Sequence, residues 1–214
     1  MNVGVLGTGM VGRVISTKLV QLGHSVKMGS RTADNASAAE WVKASGANAT
    51  QGTFEDAAKF GEIVFNCTAG MASIEALKSA GEQNLGGKIL VDLSNPLDFS
   101  HGMPPSFSVC NTDSLGEQIQ RTFPNAKVVK TLNTMNALLM VNPSIVQGDH
   151  DIFMCGNDSD AKAKVSELLK AFGWKSILDL GDIKTARGTE MLVMMWALLY
   201  GKFQSPNFNF KIVK

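Results

Sequence analysis

The stretch Asn2-Val3-Gly4-Val5-Leu6-Gly7-Thr8-Gly9-Met10-Val11-Gly12 decides the fold. Asn2–Leu6 is a short, largely apolar run of strand type, and from Val11 to Leu22 apolar residues recur at helical spacing. Between them stands Gly-x-Gly-x-x-Gly, set as strand, turn and helix. The first glycine permits a tight turn, the second lets backbone approach a pyrophosphate, and the third lets helix and strand pack closely. The N–H groups at the helix start then face the anion. Gly7, Thr8, Gly9, Met10, Val11 and Gly12 are therefore the expected pyrophosphate site. A turn kept for packing alone would leave the Thr8 hydroxyl and a row of donors with nothing to meet.

The next strand, Ser25–Gly29, identifies the dinucleotide. An NAD site usually puts Asp or Glu near its end to accept hydrogen bonds from the ribose 2′-hydroxyl. This chain has Gly29-Ser30-Arg31-Thr32 there, without a carboxylate. Ser30 can donate a hydroxyl hydrogen bond to a 2′-phosphate, and Arg31 can offer a charged planar fork to it. NADP(H) is the expected cofactor. Asp34 becomes a 2′-hydroxyl partner only if the strand runs two residues further.

Further strands are expected at Glu62–Cys67, Lys88–Leu93, Ala126–Thr131, Asp151–Cys155 and Trp174–Asp179. Helices are expected at Val11–Leu22, Ala36–Ser45, Ser73–Ala80, Ser114–Thr122, Asp160–Phe172 and Thr189–Phe203. Helix starts are signalled by Thr53 with Asp56, by Ser73 with Ala76, and by Ser159. Several strands are apolar on successive residues, as in Ile63-Val64-Phe65, which fits a sheet covered by helices on both faces. The fold class is α/β: a doubly wound, mostly parallel Rossmann-type sheet, in one domain over 1–214, closed by an apolar C-terminal helix. The Pro/Gly/Ser-rich stretch Ser94–Ser108 follows a strand end, where ligand-lining loops of open α/β sheets lie.

A formal net charge of +1 gives no field to attract nucleic acid or an anionic membrane. The most apolar segment, Met191–Gly201, is about half of the roughly 20 residues a membrane span needs, and reads as a buried helix. Cys67, Cys110 and Cys155 form no ligand-spaced pair, so neither a disulfide framework nor a metal site is expected, and the expected compartment is the cytoplasm. Cys67 reads as a core residue. His24 reads as structural and His150 as solvent-facing. No Gly-x-Ser-x-Gly or phosphate-loop lysine motif supports a hydrolase or a kinase.

The order Gly7-Thr8-Gly9-Met10-Val11-Gly12, Leu22-Gly23-His24-Ser25-Val26 and Gly29-Ser30-Arg31 resembles the NADP-dependent oxidoreductases of the deazaflavin (coenzyme F420)-dependent reductase family, whose fold also occurs in the cytoplasmic domain of the STEAP metalloreductases. The likeness continues through Leu90-Val91-Asp92-Leu93-Ser94-Asn95-Pro96, Val129-Lys130-Thr131-Leu132-Asn133-Thr134 and Arg187-Gly188-Thr189-Glu190-Met191. It implies hydride transfer between NADPH and a small flavin- or deazaflavin-type acceptor. It also implies a nicotinamide near Thr68 and Ala69 in one loop and Asn95 and Pro96 in another, with Asn133, Thr134 and Met135 near the acceptor. Two departures stand out: Thr68-Ala69-Gly70 where a Pro-containing turn is common, and Asn136 in a usually apolar place. His101, in the loop after Pro96, is the candidate donor to an acceptor carbonyl.

Such a transfer needs two rings held face to face and water kept out, and no acid–base residue is strictly required. The C-terminal helix is apolar nearly all round, so cover on more than one side is expected, from the core or from a homodimer partner. The rival functions are a non-catalytic NADP(H)-binding sensor or subunit and an imine or carbonyl reductase, the latter usually carrying a longer helical C-terminal region.

Overall fold

The computed structural model describes residues 1–214. In chain order the elements are β1 (Asn2–Leu6), α1 (Met10–Gln21), β2 (Ser25–Ser30), α2 (Ala36–Ser45), β3 (Ala49–Thr53), α3 (Phe54–Phe60), β4 (Ile63–Asn66), α4 (Gly70–Ala80), α5 (Glu82–Leu85) and β5 (Ile89–Asp92). There follow β6 (Leu97–Asp98), β7 (Ser106–Phe107), α6 (Leu115–Thr122), β8 (Lys127–Thr131), α7 (Ala137–Val141), β9 (Asp151–Gly156), α8 (Ser159–Phe172), β10 (Ser176–Asp179) and α9 (Ala186–Phe203). Single 3₁₀ turns lie at Pro143–Ile145 and Ile183–Thr185.

Eight strands form one sheet in the order β10-β9-β8-β5-β4-β1-β2-β3, and β6 pairs with β7 as a separate small hairpin. β1 runs parallel to both neighbours, with Val3 beside Val26 and Ile63, and Val5 beside Met28 and Phe65. Chain order reverses between β1 and β4, which makes the crevice beyond their carboxyl ends the switch point where ligands of open α/β sheets bind. Within the eight-stranded sheet only β8 and β9 pair antiparallel, with Thr131 beside Met154.

Alternate strand residues feed two cores. One face buries Val3, Val5, Met28, Phe65, Val129 and Ile152 against α1, α2, α7 and α8. The other buries Leu6, Val64, Leu90 and Val128 against α3, α4, α6 and the start of α9. Each such side chain contributes roughly 1.5–3 kcal/mol when fully buried, so the two faces together account for the sheet's central place. The expected doubly wound, mostly parallel architecture is the one found.

Several local expectations are corrected. α4 starts at Gly70, so Ser73 lies inside the helix and its hydroxyl serves a buried network instead of a cap. The cap of α8 is Asp158, whose carboxylate accepts the Ala161 N–H at 2.8 Å, and Ser159 is the first helical residue. Thr53 and Asp56 do form a reciprocal capping box, but it joins two elements that were not expected, the edge strand β3, which extends the sheet, and the short helix α3. Within one chain α9 is buried along one side only. Ala186, Thr189, Glu190 and Val193 are buried, while Met195, Leu198 and Phe203 are 49%, 51% and 55% exposed. Helical periodicity reports which residues are apolar, not how many neighbours reach them. No helix is long and apolar enough to cross a membrane.

Candidate cofactor site

The glycine turn is built by close backbone approach. Gly7 has φ of +116°, in the region that favours glycine, and its N–H donates to the Gly29 carbonyl at 2.9 Å. A β-carbon at Gly12 would lie 2.0 Å from the Gly7 carbonyl oxygen, so only glycine lets α1 begin directly against the end of β1. At Gly9, by contrast, a β-carbon would meet nothing within 4 Å. Gly7 and Gly12 thus serve packing, and Gly9 borders open space. Gly9 caps α1 without a side-chain hydrogen bond, and the first turn carries no acidic residue. The helix start therefore presents N–H groups that the chain itself leaves unanswered, which fits a pyrophosphate.

β2 ends at Ser30, which makes Arg31 the first residue beyond it. Arg31 is exposed, whereas Arg13 of α1 is paired with Glu40 at 3.2 Å. Ser30 is buried, and its hydroxyl donates to the Thr32 carbonyl inside the turn. Asp34 falls later, in the exposed approach to α2, where Asn35 caps the helix by accepting the Ala38 N–H at 3.1 Å. The strand end thus presents a free cation and no carboxylate, matching a 2′-phosphate.

A second helix start opens beside the first. Ala69 caps α4, again without a side-chain cap or an acidic first turn. Gly70 meets the loop after β5 so closely that a β-carbon would sit 1.8 Å from the Asn95 carbonyl oxygen. This accounts for the glycine at position 70. Asn95 in turn is bridged to the loop after β8: its amide donates to the Asn133 carbonyl at 2.8 Å, and the Asn133 amide donates to Asn95 Oδ1 at 2.9 Å. The structure thus joins the segments carrying Thr68, Ala69, Asn95, Pro96 and Asn133.

The loop after β8 is itself constrained. Leu132 has φ of +65° while 1% exposed, and Asn133 Oδ1 is buried without a partner. Asn133, Thr134 and Met135 are all buried. Asn136 caps α7 by accepting the N–H groups of Leu138 and Leu139, and its amide donates to the Pro206 carbonyl at 2.6 Å. A polar residue at this place therefore ties the C-terminal tail to the loop.

Residues outside this cluster have other roles. His101 is exposed between β6 and β7. His150 is not solvent-facing as expected: it is half-buried, edge-on to Trp174, and bonded to the Pro143 carbonyl at 3.0 Å and the Asn209 amide at 2.9 Å. It borders a hollow of ≈ 450 Å³ beside the starts of β9 and β10, which contains none of the candidate cofactor residues. Burial, followed by the nearby Asp92 charge, pushes the Cys67 thiol well above the usual thiol range, as suits a packing residue.

One feature of the site was not anticipated. Asn66, Asp92, Lys130 and Cys155 stand in one row across β4, β5, β8 and β9. Asn66, Asp92 and Lys130 are fully or almost fully buried. Lys130 pairs with Asp92 and with Glu190 of α9, each at 2.8 Å. Burial acts to lower the Lys130 pKa, but the two carboxylates outweigh it and hold the amine above its ordinary value, charged. The available signal was a pair of opposite charges interrupting apolar strands, Val128-Val129-Lys130 and Leu90-Val91-Asp92.

The chain is similar to known proteins. A family model described as NADP oxidoreductase, coenzyme F420-dependent, matches residues 2–96. A solved protein from Arthrobacter sp. FB24, an F420 dependent NADP-reductase by assignment, is 53% identical over 99% of both chains with a TM-score of 0.94. The F420-dependent NADP reductase of Methanocaldococcus jannaschii is 29% identical over 99% of this chain and 98% of its own length. Metalloreductase STEAP3 of Rattus norvegicus is 32% identical over 89% of this chain, which spans only 36% of that protein. With 53% identity along the whole of one such reductase and the glycine turn in its required setting, the chain belongs to the coenzyme F420-dependent NADP oxidoreductase family and is an NADP-dependent oxidoreductase.

Proposed function

We propose that this oxidoreductase transfers hydride between NADPH and a flavin- or deazaflavin-type acceptor. The observation that carries the reading is the meeting, at one switch point, of two uncapped helix starts with a polar loop pair. α1 and α4 leave their first N–H groups free, and the Asn95–Asn133 bridge closes the far side. Gly7, Thr8, Gly9, Met10, Val11 and Gly12 take the pyrophosphate. Arg31 takes the 2′-phosphate, joined by Ser30 once its hydroxyl turns from the Thr32 carbonyl. Thr68, Ala69, Asn95 and Pro96 border the nicotinamide.

Bound NADPH supplies the hydride, so the protein's part is to bind, orient and exclude water. The buried Asn133, Thr134 and Met135 offer the acceptor a wall already emptied of water. The exposed apolar face of α9 is the seam of a homodimer, since the chain itself leaves Met195, Leu198 and Phe203 uncovered.

The deciding experiment follows NADPH oxidation at 340 nm with a deazaflavin, FMN and a ferric chelate in turn, beside calorimetric titration with NADPH and NADH. Oxidation that needs the deazaflavin or FMN supports the proposal. Tight NADPH binding with no turnover of any acceptor identifies a cofactor-binding sensor instead.

A further inference from the structure

Both loops assigned above to the nicotinamide depend on one ammonium. Lys130 Nζ donates to Asp92 Oδ2 at 2.8 Å and to the Ser94 carbonyl, the residue directly before Asn95. Asp92 Oδ1 in turn accepts the Ser94 N–H at 3.2 Å, the Ser94 hydroxyl at 2.7 Å and the Asn66 amide at 2.8 Å. Asn66 Oδ1 accepts the Thr68 hydroxyl at 2.7 Å, while Ser73 receives a second hydrogen of the Asn66 amide at 2.6 Å. One branch from Lys130 therefore fixes the loop after β5 through Ser94, and the other fixes the loop after β4 through Asp92, Asn66 and Thr68.

The rest of the cluster keeps that ammonium charged and in place. Glu190 pairs with it at 2.8 Å, and the same carboxylate accepts the Leu115 and Gly116 N–H groups at 2.8 and 2.9 Å. Two carboxylates against one ammonium leave one surplus negative charge, and the free N–H groups at the start of α6 answer it. All three side chains are essentially shut off from water, so the ammonium cannot touch a ligand; it can act only through the loops. A buried charge costs folding energy that an apolar pair would not, which calls for a reason beyond stability.

We propose that Lys130 is a positioning residue for the nicotinamide end of NADPH, holding Thr68 and Asn95 at their mutual distance from beneath the crevice. The inference rests on the assignment of those loops to the nicotinamide. It is independent of the acceptor's identity, and of the adenosine end of the site, which lies on β1 and β2.

The test compares NADPH with 2′,5′-ADP, a fragment that carries the 2′-phosphate and no nicotinamide. Lys130→Met strands two buried carboxylates and can cost the fold, so the double variant Lys130→Met/Asp92→Asn is measured beside it. Asn at 92 can still accept from Ser94 and Asn66, and only the ammonium's hold is lost. The expected result for the double variant is unchanged 2′,5′-ADP affinity, an affinity advantage of NADPH over 2′,5′-ADP reduced about tenfold, and altered fluorescence of bound NADPH. Where an acceptor turns over, hydride transfer should slow by about a hundredfold, the scale of a misplaced reacting group. Lys162→Met, which removes an ammonium paired with Asp179 and bonded to neither loop, should keep the wild-type ratio. Parallel loss of both ligands, or an unchanged ratio in a folded double variant, overturns the proposal and leaves Lys130 a folding element. If the wild-type protein itself binds NADPH no better than 2′,5′-ADP, it is the assignment of the loops to the nicotinamide that fails.

Discussion

Gly70 and the carbonyl of Asn95 are in such close contact that a single methyl group on the glycine would lie 1.8 Å from the oxygen. The two loops that flank the candidate nicotinamide site are thus pressed together through backbone, which has no rotamer by which to yield. Gly70→Ala should lower stability by roughly 1–3 kcal/mol, the usual cost of overpacking, and should also weaken NADPH binding by parting the loops. Denaturant melts and titration of the same preparation check both. A stable variant with normal affinity would show that the loops can separate without consequence.

Arg31 is the only cation at the end of β2 that no carboxylate answers. Arg31→Ala should reduce NADPH affinity by about 10- to 100-fold, the worth of a charge-assisted hydrogen-bond pair of roughly 1.5–3 kcal/mol, and should leave NADH binding almost unchanged. Calorimetry with the two cofactors measures the difference. Equal weakening of both would remove the 2′-phosphate from Arg31's role.

The three cysteines should differ sharply towards alkylation. Burial raises the Cys67 thiol far above the usual range and pushes Cys155 up to about 11, whereas Cys110 is exposed. Iodoacetamide at pH 8 should add one adduct to the native protein, mapping to Cys110, and three after unfolding. A native adduct at Cys67 would revive a redox role for it.

Acid should act partly through the N-terminal side of α6. Hydrogen bonds from Arg121 hold Asp113 at about 2, below its ordinary 3.8, and Arg187 lowers Glu117 in the same direction. A depressed carboxylate pKa means stability that is present above the ordinary value and lost as pH falls through the folded one. The Asp113–Arg121 pair is partly exposed, so its worth is on the order of 1 kcal/mol or less. Asp113→Asn should therefore melt up to about 2–4 °C below wild type at pH 6, with the gap closing between pH 4 and about 2. A gap independent of pH would assign the loss to packing.

The uncovered face of α9 gives the homodimer its own test. Leu198→Glu should convert a dimer into a monomer by light scattering, since a carboxylate placed in an apolar seam has no partner. A wild-type monomer at micromolar concentration would leave that face without the proposed role.

What the sequence disclosed follows from how local each feature is. The glycine turn, the free Arg31 and the Thr53–Asp56 cap are chemistry within a few residues, and all three were legible. β3 was not, because Ala49-Thr50-Gln51-Gly52-Thr53 has no alternation of its own and becomes a strand by pairing with β2. α7 spans Ala137–Val141, too short to display a period, and depends on Asn136 as its cap. The Asn66–Asp92–Lys130 row requires the register of three strands, and Glu190 reaches it from α9. The apolarity of α9 was legible for the same reason, since it is local, whereas the neighbour that covers it is not.

The Glu190 carboxylate on the first N–H groups of α6 also bears on anion traffic. α6 begins at the same end of the sheet as α1 and α4, so a mobile phosphate arriving there would in principle find three welcoming helix starts. The chain has answered one of them with its own anion and has placed no side-chain cap at α1 or α4. Inorganic phosphate or sulfate in the buffer should therefore compete at the starts of α1 and α4 and at Arg31, but not at the start of α6.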